Sequence, residues 1–349
     1  MIRGALEGDG RHAQRLYFLA EKNPDAIFEH ISDEDFLHLI STTTQFKPHH
    51  QLLVRSLLRA RPERVIPLLE NASFENPYLP KQLIADIYDL ARAGKVDRGR
   101  AAGVIHKLMS VIYSKRYGTP PEPRNPSLPK RIEHEVFDRQ KDLEGINPQD
   151  LARAKAIRKV WPEMLPKDAY EWIAARVRAS SDCTVPHSLQ AGFIEHTVPY
   201  YFAGNAATYK IMAEHHDTRR GGKGARVRKN RHVGNVYLSE IRTKDGRKVL
   251  YVSGIQIHDL YKHEINSWIG EAVVNALRDM AKEQGYHELW IHADLLSHYV
   301  RLLRNAVNAA LRHGGKEIQP RLEELDYIDL PADHYAAPHK GRVVAIRLR

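Results

Sequence analysis

Between Ile265 and Ala293 the chain reads INSWIGEAVVNALRDMAKEQGYHELWIHA. Ile269, Ala272, Val273, Ala276, Leu277, Met280 and Ala281 recur at three- and four-residue steps, the apolar face of one amphipathic helix. Gly270 opens that helix in this reading, and Gly285 closes it as a left-handed C-cap. A first helical turn holds backbone donors without intrahelical acceptors, and the helix dipole adds partial positive charge there. A loop entering such a helix therefore suits an anion, phosphate above all. A second stretch with that chemistry is RRGGKGARVRKNRH, Arg219 to His232, with seven Lys or Arg residues, three glycines and no acid. It reads either as a solvated loop or as an arm that contacts phosphate, and Arg226, Arg228 and Lys229 are its candidate acceptor-binding residues.

Metal and thiol chemistry find less support. The pairs His49-His50 and His215-His216 are adjacent, so their side chains diverge, and His292 and His298 stand six positions apart. With no HExxH and no paired cysteines, no metal site is expected. Cys183 is the single cysteine; it excludes an internal disulfide, suits a reducing compartment and reads as a passive thiol rather than a nucleophile.

The elements that must hold these groups follow from composition and periodicity. The chain has 349 residues, 42% hydrophobic and 28% charged, enough for two soluble domains with their own cores. No apolar run approaches the length of a membrane span, and the polar start MIRGALEGDG is no secretory signal. The cytoplasm is the default compartment, with export as a bacterial effector left open. A formal charge of +10 favours anionic partners: nucleic acid, a phosphorylated cofactor or a membrane surface.

Helical spacing fills residues 1–117. Ser32 with Asp35 imitates a capping box, Pro62 breaks two amphipathic stretches, and Gly94 is placed as a C-cap. A helical bundle or an irregular helical stack is expected, with no fixed repeat. GTPPEPRNPSLPK carries five prolines and makes 118–130 the linker. Residues 131–218 are expected as a helical connecting region, including NPQDLARAKAIRKVWPEML and PKDAYEWIAARVRASS. Strand character begins with VGNVYLSEI, turns at Asp245-Gly246 and returns in KVLYVSGIQIH. With the helix above and the alternating run HELWIHA, this gives a βαβ crossover. The expected class is α+β: an all-α N-terminal domain followed by a mixed α/β domain over 219–349.

Hairpin, long strand, glycine loop, amphipathic helix, glycine and strand together resemble the core of the GCN5-related N-acetyltransferases over roughly residues 233 to 349. The family loop runs Arg or Gln, two residues, Gly, one residue, Gly or Ala. SWIGEA supplies Gly270 and Ala272 at the matching places, with Ser267 where the family has Arg or Gln. The resemblance implies that Ser267, Trp268, Ile269, Gly270, Glu271 and Ala272 meet the pyrophosphate of acetyl-CoA or another acyl-CoA. NAVNAALRHGGKEI is similar to the family's later helix, which adds Asn305 to the cofactor set; the family's tyrosine acid is replaced there by Leu311 or Arg312. The final GRVVAIRLR corresponds to the family's last strand.

The implied chemistry is attack of a neutral amine on the thioester. It needs a base, oxyanion donors and an acid for the leaving thiolate. The resemblance assigns main-chain contacts to Ile255, Gln256 and Ile257, and proton transfer to His258 or Glu240, with Glu264 third and Tyr299 against the thiol. The amine acceptor is unspecified and, given the basic stretch, anionic or macromolecular. The competing readings are a nucleic-acid-binding protein, contacting its partner through Arg219 to His232, and an aminoacyl-tRNA-dependent transferase.

Overall fold

Short apolar runs at helical spacing build α1 (Ile2–Leu6), α2 (Gly10–Lys22), α3 (Pro24–Phe28), α4 (Asp33–Thr42), α5 (Pro48–Ala60), α6 (Pro62–Asn71), α7 (Tyr78–Arg92) and α8 (Arg98–Tyr117). The computed structural model describes residues 2–44, 47–132, 134–135, 157–178, 194, 197–217, 227–257, 264–293, 307, 310–312, 314–334 and 336–348. The chain forms two units, the first from Met1–Pro120, Asp168–Val177 and Thr184–Val198, the second from Pro121–Lys167, Arg178–Cys183 and Pro199–Arg349. The class is α+β, helices first and a mixed sheet after them.

Local chemistry sets the helix boundaries of the first unit. Ser32 Oγ accepts the Asp35 amide at 3.1 Å while Asp35 accepts the Ser32 amide at 3.4 Å, a reciprocal capping box. Pro62, expected as a break, occupies the first turn of α6, where its missing N–H costs no hydrogen bond. Gly94 has φ of 73° just past α7, a left-handed position that disfavours other residues. The core is lined by Leu53, Leu57, Leu83, Ile87, Ile105 and Leu108, all fully buried. Each contributes roughly 1.5–3 kcal/mol by leaving water. One carboxylate is buried with them: Asp86 on α7 is bound by Arg55 Nε at 2.6 Å and Arg59 Nη2 at 2.5 Å, both from α5. Helix α9 (Ala169–Arg178) belongs to this unit through residues 168–177, and Tyr170 packs on Tyr88 with ring centroids 5.3 Å apart.

The second unit holds one sheet: β1 (His134–Glu135), β2 (Ile157–Met164), β3 (Ala207–Asp217), β4 (Val227–Thr243), β5 (Lys248–Ile257), β6 (Glu288–His292), β7 (Lys316–Ile318), β8 (Leu325–Ile328) and β9 (Val343–Arg347). The order is β1-β2-β3-β4-β5-β6-β9-β7, with β8 on β4. Every pairing is antiparallel except β5 with β6. The β4–β5 turn contains Gly246 at φ 84°, the hairpin dipeptide expected from Asp245-Gly246. Helix α11 (Glu264–Glu283) crosses from β5 to β6, burying Ile269, Val273, Leu277 and Met280 against Leu238, Leu250, Leu289 and Ile291. It ends at Gly285, φ 76°, where the Tyr286 amide reaches back to the Ala281 carbonyl at 2.9 Å. Trp290 takes the opposite sheet face with Tyr251 and Val249, so the alternation of HELWIHA is realised. Short α10 (Val198–Phe202) brings Tyr200 onto Tyr237.

Three sequence expectations change. The stretch 131–218, expected as a helical connection, contributes β2 and β3 to the sheet, while α9 is helical as expected. Of the supposed loop Arg219 to His232, residues 227–232 are strand, paired with β3 from Val227↔Asp217 to His232↔Met212. The proline-rich stretch is irregular as expected, but from residue 121 it belongs to the second unit; Pro129 accepts the Tyr209 hydroxyl at 2.7 Å.

Candidate active site

Two parallel strands part company in the second unit. β5 and β6 pair from Val249↔Glu288 to Val252↔Ile291, and there the parallel register ends. β5 runs on to Ile257, still paired with β4 as far as Gly234↔Ile257. Its other edge, over 253–257, has no partner among the described strands. A β-bulge lies at the parting point: Tyr237 faces Gly254 while Leu238 faces Val252, so Ser253 is the extra residue. Such a bulge bends the strand and re-aims the residues beyond it. Backbone groups alternate between the two edges of a strand, so Ile255, Gln256 and Ile257 share theirs between β4 and an edge at the carboxyl end of a parallel pair, where ligands of α/β sheets gather.

A buried polar chain sits under the bulge. Ser253 Oγ accepts the Tyr200 hydroxyl at 2.6 Å and donates to the Tyr237 carbonyl at 3.2 Å. Tyr200 and Ser253 are both almost fully buried, so each bond replaces water that cannot reach them. Tyr200 also stacks tilted on Tyr237, centroids 5.1 Å apart, and meets the buried His334 ring edge-on at 5.5 Å. The main chain at the end of α10 is tied down as well. Lys167 Nζ donates to the Tyr200 carbonyl at 3.0 Å and also to that of Ala203. Asp329 accepts the Asn205 amide and the Tyr327 hydroxyl, each at 2.8 Å. Burial lowers the Lys167 ammonium to about 8, against a partial upward pull from Asp329. Burial also raises the Asp329 carboxyl, and pushes the Tyr327 phenol up to about 12 with Asp329 beside it.

Helix α11 begins at Glu264, six residues before Gly270. Its apolar face extends upstream through Ile265, which shares the spacing of Ile269, Ala272 and Ala276, so one glycine does not stop it. The amides free of the helical ladder are therefore those of 264–266. Those of Ser267, Trp268, Ile269, Gly270, Glu271 and Ala272 lie inside it. This corrects the expectation that Gly270 opens the helix and offers its own amide to phosphate. Ile269, Gly270 and Ala272 are buried, and the Glu271 carboxylate is met by Arg312 at 3.0 Å.

Glu240 and the β5 edge do not come together. Glu240 pairs across the hairpin with Leu250, five residues before Ile255, or about 16 Å along the strand. Its buried carboxylate is held by Arg242 at 3.1 Å, Lys248 at 3.3 Å and the Tyr286 hydroxyl at 3.2 Å, just past the C-terminal end of α11. Burial, with Glu240 next in effect, raises the Tyr286 phenol, which stays protonated and donating. That is an interior ion network rather than a base facing a reacting amine. Arg228 and Lys229 stand on β4 opposite His216 and His215. His258, Tyr299, Asn305 and Arg226 lie outside the described residues.

Sequence reasoning missed Tyr200, Ser253, His334, Lys167 and Asp329. Only the aromatic run Tyr200-Tyr201-Phe202 after a proline offered a local signal. Among the described residues no three His, Cys, Asp or Glu side chains group as a metal site, and no helix is long and apolar enough to cross a membrane.

No protein-family model matches the chain, and no curated protein matches it. Among solved structures it is similar to a chain from the NatC complex bound to Gag peptide and CoA, at 11% identity and TM-score 0.28, over 54% of this chain and 99% of that one. It is also similar to a chain from the KacTA–DNA complex, at 18% identity and TM-score 0.24, over 41% of this chain and 80% of that one. At such low TM-scores neither likeness establishes a shared fold.

Proposed function

We propose that the second unit is an acyl-CoA-dependent N-acyltransferase with acetyl-CoA as donor. One observation carries this reading: a bulged strand leaves its parallel neighbour and presents the unpaired edge of Ser253 to Ile257 upstream of the first turn of α11. An extended pantetheine arm fits a free strand edge, because both offer amide groups at comparable spacing. Its pyrophosphate fits the amides of 264–266, where the helix dipole adds positive charge. Those amides of Ile255 to Ile257 that are turned away from β4 then face the thioester oxygen, the placement that stabilises charge as a neutral amine adds. His258, directly after β5, is the proposed proton acceptor, because imidazole titrates near neutrality. Arg228 and Lys229 on β4 suit an anionic acceptor. The resemblance in the sequence to GCN5-related N-acetyltransferases points the same way.

Amide hydrogen exchange with and without CoA tests the reading, alongside calorimetry with acetyl-CoA. The expected outcome is measurable binding with slowed exchange at 254–257 and 264–266. Absence of binding, or protection confined to other segments, overturns it.

A further inference from the structure

We propose that the exposed face of α2, in the first unit, is a ridge that binds single-stranded nucleic acid. It is independent of the acyltransferase reading. Helix α2 buries Ala13, Leu16 and Ala20 and turns Arg11, Gln14, Arg15, Phe18 and Lys22 outward. At about 100° per residue those five fall within an arc of roughly 100°, one face of the helix. Phe18 lies in the middle of it, 55% exposed, with the Tyr17 ring at 5.4 Å. Leu19 at 37% and Leu52 of α5 at 40% extend the apolar part. A hydrogen bond from Ser56 of α5 to Glu21 of α2 at 2.5 Å joins the two helices, with Leu52 one turn before Ser56 on α5.

Cations outnumber acids on this face. Among the described residues no ion pair joins Arg11, Arg15 or Lys22 to an acid, and Glu21 keeps its negative charge at the margin of the face. Asp9 binds His12, Glu7 binds Arg3, and Glu21 accepts from Ser56. The ridge therefore alternates cation, cation, aromatic, cation, with Arg11 and Arg15 about 6 Å apart along the axis and Phe18 between Arg15 and Lys22. Single-stranded nucleic acid offers the complement: phosphates for the cations and unpaired base faces for the ring. A duplex hides its base faces from such a ring. A convex ridge with one aromatic does not enclose a peptide, and three apolar side chains give a bilayer little to bury. The net charge of +10 fits an anionic partner.

Fluorescence anisotropy of the full chain with a labelled oligouridine RNA, across a salt series, tests the proposal. Phe18→Ala should weaken binding about tenfold, the loss expected for one stacked base, and Phe18→Tyr should restore it. Replacing Arg11, Arg15 and Lys22 together by serine should lower the slope of log affinity against log salt by about 2. Duplex RNA of the same length should bind without regard to Phe18. Failure of the wild type to bind, or variants that bind like it, overturns the proposal. So does Phe18 dependence seen with polyglutamate or anionic vesicles instead of RNA.

Discussion

The buried carboxylate of the helical unit and the polar chain under the β5 bulge are held in opposite ways. In the helical unit one carboxylate, Asp86, is enclosed by long side chains of the neighbouring helix, and its guanidinium partners reach solvent with Arg59 58% exposed. Under the bulge of the sheet unit a hydroxyl and an ammonium are bound to main-chain groups, Ser253 to the Tyr237 carbonyl and Lys167 to the carbonyls of Tyr200 and Ala203. The first arrangement glues two helices. The second holds backbone in shape, and it does so where β5 leaves β6.

The largest expected effect falls on the glue. Asp86→Ala leaves Arg55, only 21% exposed, without its anion and should cost about 2–3 kcal/mol in chemical denaturation. A change below about 0.5 kcal/mol would mean that the carboxylate is no more important than a surface charge. For the sheet unit, pH gives the next test. The folded Lys167 ammonium is depressed to about 8 from 10.5, so between those values the unfolded chain binds more protons and stability rises with pH. Below pH 8 both states are protonated and this contribution is flat. Between pH 8 and 10 the gain should be about 2 kcal/mol, before the raised Tyr327 phenol opposes it above pH 10. Lys167→Met should flatten that rise relative to wild type; an unchanged slope would assign it to other groups.

The smallest effect sharpens the contrast most. Tyr200→Phe removes one buried hydrogen bond to Ser253 and should cost about 1 kcal/mol. Exchange of the amides at 253–257 should nevertheless speed up out of proportion to that loss, with β6 and α11 unaffected. Uniform acceleration across the sheet would reduce the bond to ordinary stabilisation.

What could be read from the sequence was local. The Ser32–Asp35 box, the Asp245-Gly246 turn, the apolar face of α11 and Gly285 all depend on residues within a few positions of each other, and all were legible. Strand β2 was not. Ile157, Val160, Trp161 and Met164 fall at helical spacing, and only pairing with β3, some fifty residues later, makes the segment extended. The start of α11 was misplaced because glycine is a weak helix breaker when the apolar stripe continues past it. In the candidate site, β5 was legible as an apolar strand run, and the role given to Ile255, Gln256 and Ile257 came from the resemblance. The bulge lock was not, since Tyr200 and Ser253 are 53 positions apart. Glu240 entered through the resemblance; Arg242 is its neighbour two positions along the strand, while Lys248 and Tyr286 reach it only through the fold.

The sheet order also bears on synthesis. Strand β9 lies between β6 and β7, and β7 pairs with no other described strand. A nascent chain that has released β7 therefore cannot seat it until Val343 to Arg347 emerge. Until then the outer edge of β6 stays open to other chains, the edge exposure that invites aggregation. Gly315 tightens the same dependence: a Cβ there would come within 2.7 Å of both the Ala310 carbonyl and the Val344 side chain of β9. Premature termination shortly before β9 would thus yield a product with an unfinished sheet edge, a substrate for chaperones and proteases rather than a shorter folded protein.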